Sequence, residues 1–475
     1  MKNALYPSLQ AALLLPVLFL VSCGGAGPES IVPPSISVET AINVSTPTWT
    51  WSSGAADTFR YQLNSEGDAW TETQEHSYTP ARALADGTHT LYVQGKAKDG
   101  TWTASGTAAI EIDTSLSFTA SYSRADGYYV SGAIGVAATS DGKTVLVAGQ
   151  TDASLVVFDR DPATGLLSSS SYFRDGVNFV DGLNAVARVA ASPDGTSVYA
   201  TGYSDNAIAV FDRDSETGVL TYTTALFNGG GIVGLGKAND VAVTPDGKTV
   251  LVTGYSDNAL VVFDRSTATG VLTYSQTFSD DSEEGGTIET FLGPQGIAVS
   301  PDGTNVYVNA YTDSALVVFD RDTDTGTLSY STTITDTELL NPYGISISPD
   351  GKNVYVASYG SDRILVFDRY ADTGALSLLE SHVNDTNGVE SLDGPFWIAI
   401  PPDAKSVYVT ARETDSLVVF DRDLDTGTLV YRTFLQDETG EIEDLDKPLG
   451  VTVSPCGGWV YVTALEDFAV TVFDR

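Results

Sequence analysis

The tetrapeptide Val-Phe-Asp-Arg occurs seven times in this chain, ending at Arg160, Arg213, Arg265, Arg321, Arg369, Arg422 and Arg475. The six intervals cover 315 residues, about 52 each, a period that suits a four-stranded propeller blade and is too long for helical solenoid repeats. Each unit also carries a turn of the Ser-Pro-Asp-Gly kind, at 140–142, 193–195, 245–247, 301–303, 349–351, 402–404 and 455–457. Inside one unit, β-branched and alternating apolar residues predict an inner strand over 296–300, a second over 305–310, a third over 315–321 and an outer strand beginning at Leu328. The seventh tetrapeptide leaves its unit without an outer strand. The stretch 116–122, LSFTASY, matches the missing piece and is expected to close the ring, which removes two exposed sheet edges.

The segment 317–330, VVFDRDTDTGTLSY, carries alternating Asp320, Asp322 and Asp324 ahead of a glycine, as a calcium loop would. A calcium loop of the EF-hand kind needs glycine at its sixth position and glutamate at its twelfth. Counted from Asp320, those positions hold Thr325 and Ser331, and the sister copy at 264–270 lacks the aspartates. What recurs is Thr-Gly followed two residues later by leucine, the requirement of a turn feeding an outer strand. The repeated Asp-Arg pairs are expected to be blade-to-blade or turn-closing ion pairs.

Residues 35–114 form a different block, with four of the six tryptophans (Trp49, Trp51, Trp70 and Trp102) on short alternating runs split by Asp-Gly turns. This pattern predicts a small antiparallel sandwich. It resembles the immunoglobulin-like modules of bacterial surface proteins, which implies a spacer, with carbohydrate binding as the other role. Farther upstream, Lys2, an apolar run over 4–20 and Leu20-Val21-Ser22-Cys23-Gly24 resemble a bacterial lipoprotein signal. That implies a signal peptide over 1–22, lipidation at Cys23, a Gly/Pro-rich tether over 23–34 and anchoring in the cell envelope; Gly24 implies the outer membrane. Cys456 is then the remaining thiol, standing in a turn where sister copies carry aspartate. The expected fold class is all-β, a seven-bladed β-propeller over 115–475 preceded by an immunoglobulin-like β-sandwich.

With 62 acidic and 24 basic side chains the formal charge is −38, a field that repels nucleic acid and anionic lipid headgroups. Acidic runs at 279–295 and 436–448 disfavour an anionic substrate, and their carboxylates could hold a divalent cation such as calcium. No other cofactor is expected.

The repeats Ser-Pro-Asp-Gly-(Lys/Thr)-x-Val-Tyr-Val, Val-Val-Phe-Asp-Arg and Thr-Gly-x-Leu resemble the seven-bladed propellers of the lactonase family, which includes 6-phosphogluconolactonase-like proteins, and the related Tyr-Val-Thr-Asn repeat proteins. The resemblance covers 116–475 and its motifs are structural, so function must come from the site. Strand order separates two faces. One bears the turns after first and third strands; the other bears the turns after second strands and the loops before inner strands, and it is the expected ligand face. There the sequence places Asn184, Asn239, Gln295, Tyr343, Trp397 and Leu449 at the channel mouth, with Tyr203, Tyr255, Tyr311 and Tyr359 on neighbouring turns. The resemblance implies histidine, arginine and carboxylates at that mouth. His76 and His89 lie in the sandwich block and His382 is expected just after an outer strand, which leaves Arg412, Arg188, Lys237 and Lys447 as cations and Glu413 as an acid or base. The expected role is therefore a binding or scaffolding protein for a protein or carbohydrate ligand, with a lactonase-like hydrolase using Arg412, Arg188 and a carboxylate as the alternative.

Overall fold

The computed structural model describes residues 32–38, 48–52, 56–65, 70–80, 87–112, 116–280 and 288–475. The signal segment 1–22, Cys23 and the acidic residues Asp281, Glu283 and Glu284 lie outside the described residues. The chain divides into two compact units, Met1–Thr114 and Ser115–Arg475. Among the described residues the only helical elements are two three-residue 3-10 turns, and no helix is long and apolar enough to cross a membrane.

In the first unit, a three-stranded sheet (Ser35–Val38, Trp49–Ser52, Ser77–Tyr78) and a four-stranded sheet (Thr71–Thr73, Phe59–Leu63, Gly87–Gly95, Gly106–Ile112) share one apolar core. Trp49, Trp51, Phe59, Leu91 and Val93 are at its centre. The other two tryptophans flank one cation: the Arg60 guanidinium lies 4.6 Å from the ring centroids of both Trp70 and Trp102.

The second unit contains seven four-stranded antiparallel sheets, blades 1 to 7 in chain order. Their inner strands are Ala133–Ala138, Val186–Ala191, Ala238–Val243, Pro294–Val299, Pro342–Ile347, Pro395–Ala399 and Pro448–Val453, each packed beside the next in a closed circuit. Second strands such as Asn305–Ala310 are buried along their whole length. Outer strands such as Leu328–Thr335 alternate toward solvent. Blade 7 takes its outer strand from Ser117–Ser123, which pairs antiparallel with Ala469–Asp474.

The repeated arginine has a single job. At the end of each third strand it reaches back to the Ser-Pro-Asp-Gly turn of the preceding blade. Arg213 pairs with Asp141 at 2.9 Å, Arg265 with Asp194 at 2.9 Å, Arg321 with Asp246 at 2.9 Å, Arg369 with Asp302 at 3.0 Å, Arg422 with Asp350 at 3.2 Å and Arg475 with Asp403 at 2.8 Å. The same side chains donate to a carbonyl of their own turn, as Arg265 Nη1 does to Gly247 at 2.9 Å. These guanidiniums are desolvated, and planar two-oxygen recognition by arginine offsets that cost. Burial opposes ionisation of Asp194, but hydrogen bonds from Ser192, Arg265 and Thr196 outweigh it and hold the carboxyl down at about 2. The exception is Arg160 of blade 1, which meets Cys456 Sγ at 3.5 Å and stacks on Trp459 at 4.6 Å. Nearer the axis, hydroxyls on second strands stitch the blades: Thr201, Thr253, Thr410 and Thr463 donate to the carbonyls of Asn239, Gln295, Leu449 and Ile134 at 2.8, 2.9, 2.8 and 3.2 Å.

Candidate functional site

The third residue of the inner strand is glycine in four blades: Gly135, Gly296, Gly344 and Gly450. The strands converge there, and a Cβ on Gly344 would sit 2.5 Å from the Phe396 carbonyl oxygen. The other three blades place Arg188, Asp240 and Trp397 at the same level. All three line a central cavity of about 370 Å³.

Arg188 is 5% exposed. Its Nη1 donates to the carbonyl of Ile134 at 2.8 Å, and its guanidinium lies 4.1 Å from the Trp397 ring centroid. Its Nε is buried without a hydrogen-bond partner, a costly state for a cationic donor. Asp240 is also 5% exposed. Its oxygens accept from the amides of Val241 at 2.9 Å and Ile297 at 2.8 Å, which fix the carboxyl and leave each oxygen a second lone pair. Burial pushes Asp240 up to about 6, against the pull of Arg188. Among the described residues no ion pair joins the two, so a cation and a poised carboxyl both face the same cavity. Burial also lowers Arg188 from its ordinary value, yet an arginine stays protonated at neutral pH.

One end of the channel is closed. Second-position residues Ile134, Asn239, Gln295, Phe396 and Leu449 are each under 9% exposed. Asn239 Nδ2 donates to Gln295 Oε1, and Tyr343 stacks on Phe396 at 3.8 Å; burial pushes Tyr343 up to about 12. These side chains cap the channel toward the expected ligand face. Below Arg188, the fourth residue of every inner strand is β-branched: Val136, Val189, Val241, Ile297, Ile345, Ile398 and Val451 all line the cavity. The last two residues of most inner strands are half-exposed, and the lining continues to Pro402, Ser454 and Pro455 in the Ser-Pro-Asp-Gly turns. The cavity is thus a funnel directed at the face opposite the expected one, with Arg188, Asp240 and Trp397 at its floor.

On the expected face, Tyr203, Tyr255, Tyr311 and Tyr359 are half-buried. The Lys237 ammonium lies 5.4 and 5.8 Å from the rings of Tyr203 and Tyr255, and Tyr311 packs edge-on against Tyr343 at 6.0 Å. Asn184 is exposed, its amide bonded to Asp205 at 2.9 Å. Arg412, Glu413 and Tyr359 engage one another: Arg412 Nη1 lies 3.3 Å from Glu413 Oε1, and the Tyr359 hydroxyl donates to Glu413 at 2.8 Å. Arg412 is therefore apart from Arg188, held in a rim cluster. Lys447 pairs with Asp415 at 4.0 Å. His382 lies within the outer strand Leu376–Val383 rather than after it, with Nε2 3.0 Å from Glu380 and its ring against Phe420. One acidic trio, Asp175, Asp181 and Asp205, brings its carboxylates within 4.8 Å of one another; it lies outside both acidic runs, and Asp175 and Asp205 accept the amides of Leu183 and Asn184 at 3.1 and 2.9 Å.

Asp240 escaped the sequence reading. The signal was present: at third positions otherwise filled by glycine, arginine or tryptophan, one carboxylate stands in an apolar strand.

The family model "Lactonase, 7-bladed beta-propeller" matches residues 175–290 and 276–392. No curated protein sequence matches the chain. Among solved structures, a putative 6-phosphogluconolactonase from Bacteroides uniformis ATCC 8492 is similar at 20% identity and a TM-score of 0.53, covering 76% of this chain and 93% of its own. A putative 6-phosphogluconolactonase from Bacteroides fragilis NCTC 9343 matches at 17% identity and 0.53, covering 84% and 97%. Kuenenia stuttgartiensis hydrazine synthase matches at 19% and 0.54, covering 72% and 96%. At these identities the similarity shows the propeller fold and carries no activity with it.

Proposed function

We propose that this lactonase-like propeller is a lactone hydrolase whose site is the funnel floor. The observation that carries the reading is that Arg188, whose Nε is buried without a hydrogen-bond partner, lines the same cavity as Asp240, a carboxyl poised near 6. A group titrating there is suited to general base work at neutral pH. In the proposed reaction the Asp240 carboxylate takes a proton from water as its oxygen bonds to the lactone carbonyl carbon. Arg188 stabilises the resulting oxyanion. The ring C–O bond then breaks, and the departing alkoxide takes the proton back from Asp240, so that lactone and water become one hydroxy acid. The rim cluster of Arg412, Glu413 and Tyr359 has no part in this step.

Ligand binding without turnover, on the opposite face, is favoured by one feature: Lys237 held between Tyr203 and Tyr255. We further propose that Cys23 carries a lipid that anchors the chain in the bacterial cell envelope, at the outer membrane, and that residues 35–114 act as an immunoglobulin-like spacer. Base uptake in a pH-stat, with neutral and phosphorylated lactones offered to the wild type, Arg188→Met and Asp240→Asn, tests the hydrolase. Turnover that drops about 100-fold or more in both variants supports it; turnover absent from the wild type, or unchanged in the variants, refutes it.

A further inference from the structure

Arg188 spends its charge on the far side of the channel. Its strand belongs to blade 2 and that of Trp397 to blade 6, with blades 7 and 1 between them. The third residues of those two intervening blades are Gly450 and Gly135, which put no side chain at this level. The guanidinium therefore meets the Trp397 ring at 4.1 Å and lies 5.8 Å from that of Phe396. Asp240 stands in the adjacent blade 3 and lines the same cavity. An ion pair with it would give the buried Arg188 Nε an acceptor, yet the cation is held elsewhere. We infer that Trp397 is a positioning residue of this site, an inference that rests on the hydrolase reading above: its ring holds the Arg188 guanidinium across the channel and keeps it from closing an ion pair with Asp240.

The contacts divide accordingly. On its own side Arg188 donates only to carbonyls, Ile134 at 2.8 Å and Ala187 at 3.4 Å. The hold from the opposite side is aromatic, and an aromatic face binds a desolvated cation more strongly than an exposed one; Arg188 is buried. Trp397 is itself fixed, since its amide donates to Thr410 Oγ1 at 3.0 Å and that hydroxyl donates to the Leu449 carbonyl at 2.8 Å. The other groups around Asp240 are uncharged at neutral pH: Thr253 Oγ1 accepts its amide at 2.9 Å, blade 4 presents Gln295, Gly296 and Ile297, and Tyr343 is pushed up to about 12. Arg188 is thus the charge that sets how Asp240 titrates. Paired, it would hold the carboxyl down and weaken it as a base; resting on Trp397, it leaves the carboxyl at about 6.

The test follows the Asp240 carboxyl by carbon NMR in the purified full chain labelled at aspartate side-chain carbons, with Asp240→Asn to assign the resonance. The wild type is expected to titrate at about 6. Trp397→Leu removes the aromatic face, and its midpoint is expected to fall by about 1–3 units as Arg188 closes on the carboxylate. Trp397→Phe keeps a face and should stay close to the wild type, and adding Arg188→Met to Trp397→Leu should cancel the fall. A midpoint unchanged or raised in folded Trp397→Leu, an equal fall in Trp397→Phe, or a fall that survives the loss of Arg188 overturns the inference. If the leucine variant does not fold, Arg188→Met alone decides: a rise of less than about one unit fits a cation held on Trp397, whereas a rise of about 1–3 units means that the ion pair already exists and overturns the inference. Base uptake with lactones reads the hydrolase separately. The expected shifts without wild-type turnover keep the positioning of Arg188 by Trp397 and remove the hydrolase, while turnover with unshifted titrations does the reverse.

Discussion

Replacing Cys456 by aspartate should complete the seventh inter-blade clasp. In the sister turns the aspartate does two things: it accepts from the next blade's arginine, and it braces its own turn, as Asp302 Oδ1 does by accepting the Thr304 amide at 3.0 Å and the Ser300 hydroxyl at 2.6 Å. Blade 7 already offers the donors, since Ser454 Oγ lies 3.3 Å from Cys456 Sγ and Arg160 Nη2 lies 3.5 Å from it. Hydrogen bonds to charged groups contribute about 1.5–3 kcal/mol each, but clasp carboxylates are 25–42% exposed, so solvent screening reduces the whole gain to about 1–3 kcal/mol. With roughly 2.1 cal/mol/K of unfolding entropy per residue, 1 kcal/mol across the Ser115–Arg475 unit corresponds to about 1.3 °C. Calorimetry of Cys456→Asp at pH 7 should therefore show a Tm higher by about 1–4 °C. The pH dependence follows from the depressed carboxyl pKa seen at Asp194. Such a group stabilises fully above its unfolded value near 4, and the gain disappears as pH falls through about 2. A Tm unchanged or lowered at pH 7, or a gain that persists at pH 2, refutes the assignment of the clasp as a stabilising ion pair.

Other consequences are equally direct. If Asp240 is the base, kcat/KM should rise tenfold per pH unit below about 6 and level off above it, and Asp240→Asn should abolish that limb; a profile flat from pH 4 to 8 removes Asp240 from the reaction. Because the funnel is directed at the turns holding Ser454 and Pro455, alkylating the exposed Cys456 with a bulky maleimide should lower lactone turnover several-fold, while the same label on Ser204→Cys on the other face should leave turnover unchanged. Phe179 is 99% exposed at φ +66°, where the comparable loop before blade 6 has Gly388 at φ +84°. Phe179→Gly gives up no burial and removes about 1–2 kcal/mol of left-handed strain, less the 0.5–1 kcal/mol of glycine entropy. Denaturant unfolding should thus show a gain of up to about 1.5 kcal/mol, and a loss would mean that the ring has a packing role.

The fold was legible because repetition multiplies a weak signal. One Val-Phe-Asp-Arg run is an ordinary strand end; seven at even spacing specify blades, and the orphan third strand at the C-terminal end points to 116–122. The inner strand expected at 296–300 begins two residues earlier, at Pro294, because a proline can open a strand without breaking its ladder. The site was harder to read. Tyr343, Asn239, Gln295 and Leu449 were read from the sequence as a channel mouth, but which end of a channel is stoppered depends on side chains from different blades meeting across it, as Tyr343 and Phe396 do. Arg412 and Arg188 look alike in sequence. Only the fold shows one engaged by Glu413 and Tyr359 on the rim and the other buried beside a cavity.

The joint between blades 7 and 1 also bears on how the ring assembles. Every other blade is built from consecutive residues, but this one pairs Ala469 with Ser123 and Asp474 with Ser117, so its contacts cannot form until nearly the whole chain is in place. Pairing across such a separation is entropically expensive and slow. The joint made last is also the one whose arginine faces a thiol instead of a carboxylate. The strand at 117–123 can make this pairing only once residues 469–474 exist, and in the finished ring this seam should be the first to exchange its amide protons.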